Sequence, residues 1–178
     1  NAVTPGASGA APTCGGTRYC VSSATASGVQ ASCSYTTTSG NAWSNAWYAF
    51  VCDNNTSSLC STANQGSGDS GSPFYVNHPP SFTASAVSAA VNPGGTITWT
   101  TTASDPDGNT VKLLVCKTQA ISAGACTGGS WCTSSLSASN PTCSYVATKP
   151  YADGVYNAYP YIVDQFNLAS SGTAQGVN

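Results

Sequence analysis

The amino-acid sequence repeats itself, and this repeat limits the possible folds more than any other feature. A first segment, Cys14-Gly-Gly-Thr-Arg-Tyr-Cys20, is matched 112 residues later by Cys126-Thr-Gly-Gly-Ser-Trp-Cys132. A Ser/Thr/Ala-rich run follows each segment and ends in Cys33-Ser-Tyr35 in the first copy and in Cys143-Ser-Tyr145 in the second. Because cysteines, aromatic residues and spacing agree, the chain is predicted to contain two copies of one structural unit.

Aligning the two copies also predicts where each unit begins. The segment Asn45-Ala-Trp-Tyr-Ala-Phe-Val51 matches Asn157-Ala-Tyr-Pro-Tyr-Ile-Val163, again 112 residues later, whereas residues 80–118 have no match in the first copy. The predicted organisation is the C-terminal half of a unit at 1–77, a Pro-rich junction at 78–80 and a complete unit at 81–178. Two prolines restrict the backbone of the junction, so it is expected to be stiff, with His78 as a solvated linker residue.

Composition excludes several classes of function. Only 6% of the residues are charged and the net charge is -2, so no basic surface is available and nucleic acid is not an expected partner. Membrane insertion is not expected either, because no apolar run approaches the roughly 18 residues of a membrane span. Nine Tyr, four Trp and four Phe can supply a core, so a folded chain is predicted rather than a disordered one.

The nine cysteines predict disulfides rather than a metal site. Their spacing lacks the paired Cys or His ligands typical of zinc, and disulfides persist in oxidising compartments, so an extracellular or cell-surface location is expected. Four cysteines in the second copy allow three pairings, of which the one that closes short loops is preferred. The predicted bonds are Cys20–Cys33, Cys52–Cys60, Cys116–Cys126 and Cys132–Cys143. Cys14 is left unpaired, or bonded to an upstream segment or to another molecule.

Short β-strands are predicted along the chain, and no window shows a sustained helical period. Residues 96–102 alternate β-branched and aromatic side chains and give the clearest strand. The other predicted strands are 17–23, 31–38, 45–52, 72–77, 81–91, 110–117, two strands within 126–145, 154–166 and 173–177. About seven short strands per complete unit are typical of a β-sandwich, so the predicted fold class is all-β.

The second copy resembles immunoglobulin-like repeats of large prokaryotic surface and secreted proteins, which include fibronectin type III-like and cadherin-like modules. The resemblance rests on Pro79-Pro-Ser-Phe82, Asn92-Pro-Gly-Gly-Thr-Ile-Thr-Trp99 and Ser104-Asp-Pro-Asp-Gly-Asn-Thr-Val111, followed by a long aromatic strand. It covers residues 79–178, with 1–77 as a truncated copy. It implies tandem immunoglobulin-like β-sandwiches, which usually act as stalks, fibres, adhesin rods or spacers.

The incomplete first copy suggests a function. Half a sandwich leaves a sheet edge that recruits strands and an apolar face whose exposure costs roughly 25 cal/mol per Å². Strands from upstream in the same polypeptide, or from a neighbouring protomer, would complete it. The expected function is therefore a structural, non-enzymatic subunit or segment of an extracellular filament or surface fibre, with copies of itself as partners and no cofactor.

An adhesin rod or a carbohydrate-binding accessory module of a secreted protein is the alternative, with glycans as the partner. Aromatic side chains can stack on sugars, but core packing is the preferred interpretation, because alternation along a strand turns about half of them inward. The candidates are Trp43, Trp47, Tyr48, Tyr151, Tyr156, Tyr159 and Tyr161.

The segment Gly68-Asp-Ser-Gly-Ser-Pro73 resembles the nucleophile segment of trypsin-like proteases. In that family the His base and the Asp precede the Ser, whereas His78, the only histidine of this chain, follows it. Catalysis is therefore not expected, and a Gly/Ser-rich loop is the preferred interpretation.

Two further sets of residues are candidate sites. Asp105, Asp107 and Asn109 could supply oxygen ligands to calcium, but they lack the later Glu of an EF-hand and suit a tight turn as well. Asn54 and Asn55 begin overlapping N-glycosylation sequons and are candidates for sugar attachment.

Overall fold

The computed structural model describes residues 3–4, 13–55, 59–61, 65–66, 71–148, 154–173 and 175–177. Within these ranges the regular structure consists of antiparallel β-sheets, and none of it is helical. The all-β prediction is therefore confirmed. The chain divides into two compact units, Asn1–Val76 and Asn77–Asn178, called the first and the second unit below.

The described residues of the first unit form six strands of two residues each. Their bounds are Val3–Thr4 (β1), Thr13–Cys14 (β2), Ser44–Asn45 (β3), Tyr48–Ala49 (β4), Gln65–Gly66 (β5) and Phe74–Tyr75 (β6). They form three antiparallel pairs, β1 with β2, β3 with β6 and β4 with β5.

Longer strands and larger sheets occupy the second unit. Their bounds are Ser81–Val87 (β7), Thr96–Ser104 (β8), Val111–Cys116 (β9), Ile121–Ser122 (β10), Ala125–Cys126 (β11), Ser130–Thr133 (β12), Cys143–Val146 (β13), Tyr156–Asp164 (β14), Ala169–Ser171 (β15) and Gln175–Val177 (β16). One sheet has the order β12-β9-β14-β15, with β16 also paired to β14, and the other has the order β13-β8-β7.

The two sheets share one hydrophobic core. Strand β8 alternates between buried and more exposed positions, so that Ile97, Trp99 and Ala103 point toward the other sheet. Leu113 of β9 and Ile162 of β14 meet them from the facing side. Period-two alternation places every second side chain of a strand on the same face, and this explains why the sequence of β8 predicts its buried face.

Strand β9 is covered on both faces. Leu113 belongs to the core between the sheets, whereas Leu114 and Cys116 pack with Tyr161 and Val163 in a second cluster on the outer face. The short β10–β11 hairpin lies over this outer face and is tied to β9 by the Cys116–Cys126 disulfide. Strand β9 is therefore central to the second unit, because it pairs with β12 and β14 at its edges and is buried on both sides.

The strands predicted at 17–23 and 31–38 are wrong, since the structure has no strand at either place. Their counterparts in the second unit, β12 and β13, are strands because β9 and β8 provide hydrogen-bonding partners for them. The described residues of the first unit include no strand in the positions of β9 and β8. Backbone N–H and C=O groups without a neighbouring strand form hydrogen bonds with water instead. Strand propensity alone is therefore not sufficient to form a strand.

Candidate functional site: the exposed surface of the first unit

Four disulfides join the cysteines in the pairs that the repeat predicts. The bonds are Cys20–Cys33, Cys52–Cys60, Cys116–Cys126 and Cys132–Cys143, while Cys14 is a free, partly buried thiol. Disulfide bonds persist in oxidising compartments, so these four bonds indicate an oxidising environment.

The same local arrangement surrounds the equivalent disulfides of the two units. Tyr19 and Tyr35 flank the Cys20–Cys33 bond with ring centroids 4.8 Å apart and planes at 63°. In the second unit Trp131 and Tyr145 stand at 5.2 Å and 71° beside the equivalent disulfide. The repeat therefore specifies local geometry in both units.

Burial, in contrast, differs sharply between the units. All fourteen buried hydrophobic residues among the described ones lie between Ile97 and Val163, in the second unit. Val163 is fully buried, whereas Val51, its counterpart in the repeat, is 77% exposed. Ala46 is exposed although its counterpart Ala158 is fully buried. The first unit thus carries the sequence of a core-forming segment whose described residues are not buried in a core.

The strand pairing explains this exposure. Strand β14 pairs with β9 at one edge and with β15 and β16, which follow it in the chain, at the other. Among the described residues, the corresponding segment 44–52 pairs with later ones, through β5, β6 and the Cys52–Cys60 bridge. No described residue of the first unit occupies the edge that β9 fills in the second.

Two of the predicted aromatic candidates, Trp47 and Trp43, differ in how accessible their rings are to a sugar. The indole nitrogen of Trp47 donates a hydrogen bond of 2.8 Å to the carbonyl of Gly71, so Trp47 is held within its own unit. Trp43 stacks obliquely on Tyr75, with centroids 5.2 Å apart, and Tyr75 is 58% exposed. Sequence reasoning missed Tyr75, because only the pairing of β3 with β6 brings it to Trp43.

The remaining aromatic candidates divide between exposed and packed positions. Tyr48 is 39% exposed, whereas Tyr161 belongs to the buried cluster on the outer face of β9. Tyr159 packs against the same cluster and Tyr156 lies beside Trp131, with centroids 5.9 Å apart. Tyr151 lies outside the described residues, as do residues 67–70 of the protease-like segment.

The calcium candidates form hydrogen bonds within the 105–109 turn and with Asn77 at the start of the second unit. Asp105 Oδ1 accepts hydrogen bonds from the backbone nitrogens of Asp107 and Asn109, at 2.8 and 3.3 Å. The side-chain amide of Asn109 donates to Asn77, whose own amide donates to Asp164 at 2.6 Å. In the described part of the chain no three His, Cys, Asp or Glu side chains group so that they could hold a metal ion. The other carboxylate oxygen of Asp105, Oδ2, is buried and accepts no hydrogen bond.

The expectation of a solvated His78 is wrong. Asp107 accepts hydrogen bonds from the backbone nitrogen of His78 at 2.6 Å and faces its Nδ1 at 2.8 Å. The side chains of His78 and Asp107 are only 18% and 4% exposed. The carboxylate therefore fixes His78 to the 105–109 turn, and this contact between residues 29 positions apart leaves no signal in the sequence.

His78→Ala is expected to lower the free energy of unfolding of the second unit by about 1–3 kcal/mol, because one oxygen of a buried carboxylate loses its partner. Urea denaturation measures the change. His78→Asn, whose amide nitrogen can replace Nδ1, should recover part of the loss. Equal stabilities for the wild type and both variants would contradict the structural role of the pair.

The glycosylation candidates lie on an exposed hairpin end. Asn54 and Asn55 are exposed, and the side chain of Asn55 donates to Asp53 at 3.0 Å. The Cys52–Cys60 disulfide closes this loop. Both asparagines are therefore accessible, while Thr56 and Ser57 of their sequons lie outside the described residues.

None of the described residues form a helix that could span a membrane. Comparison with known proteins found no matching family model, no matching curated protein and no matching solved structure.

Proposed function

We propose that this protein is a structural, non-enzymatic part of an extracellular filament or surface fibre, built from immunoglobulin-like β-sandwich units joined head to tail. One observation carries the proposal: Val51 is 77% exposed in a segment whose counterpart, around the fully buried Val163, forms a core strand. Apolar surface of this kind is stabilised by burial at roughly 25 cal/mol per Å², so the first unit is expected to associate.

The second unit supplies the support for the sandwich architecture. Its two antiparallel sheets enclose one core, and the Cys132–Cys143 disulfide joins their neighbouring strands β12 and β13. At the other side Ser170 donates a hydrogen bond to the carbonyl of Pro80, next to β7. Two facing sheets held together at both sides are the arrangement expected of an immunoglobulin-like unit.

Fibre formation follows from the difference between the units. A contact between the exposed surface of the first unit of one molecule and a different region of the next is heterologous, because the two surfaces are not the same patch. Heterologous contacts that do not close into a ring give open, linear assemblies. The four disulfides favour an extracellular site for such an assembly.

Assembly is tested by sedimentation velocity and negative-stain electron microscopy of the oxidised chain over a range of concentrations. The expected result is particles well above the 17.8 kDa of one chain, elongated and with an axial repeat of domain size. Val51→Asp should reduce assembly, because it places a charge on the apolar surface. Val155→Asp is the matched control, since Val155 is 68% exposed but lies in the second unit. A monodisperse 17.8 kDa species at every concentration would rule out self-assembly of this chain.

Carbohydrate binding is the second candidate, favoured by the Trp43–Tyr75 pair. Tyr75 is 58% exposed and its ring lies 5.2 Å from that of Trp43, which offers an aromatic surface to a sugar ring. Glycan-array binding that Trp43→Ala and Tyr75→Ala abolish, and that Tyr35→Ala preserves, would support this function. Absence of glycan binding by the wild-type chain would exclude the glycans on the array as ligands.

A further inference from the structure

We propose that residues 23–39 of the first unit, called the hydroxyl segment below, carry O-linked sugars on their serine and threonine side chains. The proposal goes beyond fibre assembly and requires only that the chain meets sugar transferases on its way out of the cell. The hydroxyls concerned belong to Ser23, Thr25, Ser27, Ser32, Ser34, Thr36, Thr37, Thr38 and Ser39.

The first argument is the exposure of the hydroxyl segment along its whole length. Every residue from 23 to 40 is exposed, and no strand forms there. The backbone hydrogen bonds of the segment close two turns, from Val29 to Ala26 and from Asn41 to Thr38, at 3.1 Å each. A strand packed on a core buries every second side chain. Here both sides of the chain face solvent, so a transferase can reach any of the hydroxyls.

The second argument is that the protein itself makes little use of these hydroxyls. Thr25 donates a hydrogen bond to the carbonyl of Val29 at 3.3 Å, and Thr38 donates one to the side-chain oxygen of Asn41 at 3.4 Å. Within the described residues, the other hydroxyls of the segment form no hydrogen bond with protein groups. Attachment of a sugar to them would therefore break no contact of the fold.

The second copy of the repeat provides a contrast, because its serines have a structural role. Ser134 accepts a hydrogen bond from the backbone nitrogen of Leu113 at 2.8 Å. Ser137 exchanges two backbone hydrogen bonds of 2.8 Å with Val111. The disulfide-closed loop of the second unit is thus fixed to β9 through its serines. Among the described residues, the equivalent loop 20–33 keeps the disulfide and the serines but makes no contact of this kind.

The composition of the hydroxyl segment favours a neutral sugar over other partners. The segment has no charged residue, and its serines and threonines are interspersed with alanine and glycine. Sequences rich in Ser and Thr are typical of O-glycosylated stalks. A protein partner would need an apolar contact surface, to which the segment contributes only two large side chains, Val29 and Tyr35. Attached sugars are bulky and solubilising, and suit a surface that carries no charge.

The covalent step transfers a sugar from a donor in which its anomeric carbon is bonded to a phosphate, as in a nucleoside-diphosphate sugar. The serine or threonine oxygen attacks the anomeric carbon, and a new C–O bond forms. The C–O bond to the phosphate breaks, and the phosphate group leaves with the electron pair. The hydroxyl proton passes to a base of the transferase, and nothing is oxidised or reduced.

Mass spectrometry of the full chain, isolated from the cells that make it, provides the test. After proteolysis, electron-transfer fragmentation, which leaves sugars in place, locates modifications on peptides that contain residues 21–40 and 133–142. The second peptide is the matched control, because it comes from the equivalent serine-rich loop. The expected result is a mass increase by whole sugar residues on the 21–40 peptide and none on the control. A bare 21–40 peptide, or equal modification of both peptides, would overturn the proposal.

A pair of variants made in the same cells tests the sites without relying on fragmentation. Thr36→Val, Thr37→Val and Thr38→Val together remove three hydroxyls and preserve the side-chain shape. The control combines Thr100→Val and Thr102→Val, which alter exposed threonines of the paired strand β8. The intact mass of the first variant should fall by whole sugar residues beyond the mass of the substitutions, whereas the control should show the substitutions alone. The same result in both variants would overturn the assignment of sugars to these threonines.

The outcome is separable from that of the proposed function. Elongated particles made of chains with a bare 21–40 peptide would leave the fibre proposal standing and overturn the sugar proposal. Protection of that bare peptide from hydrogen exchange in the particles would show that a neighbouring protein covers the segment. Sugars on the segment of a chain that stays monomeric would support the sugar proposal and count against the fibre.

Discussion

Val163→Asp is expected to unfold the second unit, whereas Val51→Asp, at the matching position of the repeat, leaves the stability of the isolated chain nearly unchanged. Val163 is fully buried among Leu114, Cys116 and Tyr161 on the outer face of the larger sheet. A carboxylate there enters an apolar cluster, and even with Lys112 opposite it on β9 its burial is expected to cost about 4 kcal/mol or more. Domain stabilities are typically about 5–15 kcal/mol, so most of the stability would be lost.

Because Val51 is 77% exposed, a charge at that position stays in water and should change the free energy of unfolding by less than about 0.5 kcal/mol. Hydrogen exchange followed by mass spectrometry reads the two units separately and provides the measurement. Val163→Thr, which keeps the shape and adds one hydroxyl, should fall between the wild type and Val163→Asp. Similar losses of protection in Val51→Asp and Val163→Asp would show that both positions are buried, and would contradict the difference between the units.

The sequence predicts the strands of the second unit well, because the apolar residues in these strands occupy positions that the neighbouring strands and the facing sheet bury. The predicted segments 96–102 and 110–117 correspond to β8, Thr96–Ser104, and β9, Val111–Cys116. Strand β15, Ala169–Ser171, was not predicted. Its small residues have low strand propensity, and its place is determined by pairing with β14 rather than by its own pattern.

The same reasoning explains the two strands that were predicted and do not form. Residues 17–23 and 31–38 have the composition of β12 and β13, including the cysteines and the aromatic pair. What differs is the presence of β9 and β8 as partners. Strand propensity describes how well a residue fits a sheet, and it has no effect where no neighbouring strand is present.

The candidate site could be predicted only in part. The repeat identifies the segment around Val51 as the counterpart of the strand around Val163. The contact between Trp43 and Tyr75, however, depends on the pairing of β3 with β6. The bond between His78 and Asp107 likewise depends on two loops meeting in space, for which single-residue patterns carry no signal.

Replacing both Cys132 and Cys143 by Ser is expected to destabilise the second unit by about 3–5 kcal/mol. Their bond closes a loop across 11 residues, and both cysteines are 8% exposed within the core between the sheets. The loss therefore has two sources. The unfolded chain regains the freedom that the cross-link removed, and two hydroxyl groups replace sulfur atoms in an apolar environment.

The matched change is Cys20→Ser with Cys33→Ser, which opens a loop across 13 residues in the first unit. The chain-entropy model assigns nearly the same value to both loops, since the cost of closure depends only weakly on length. The two disulfides differ in their surroundings, because only the Cys132–Cys143 bond lies in a packed core. Cys33 is exposed, and the described residues of the first unit include no buried hydrophobic side chain. We therefore expect the urea midpoint of the second unit to fall only with the Cys132/Cys143 change. In the Cys20/Cys33 variant that midpoint should stay at its wild-type value. Equal shifts of the midpoint in the two variants would contradict this expectation, because they would mean that both disulfides stabilise the same cooperatively unfolding structure.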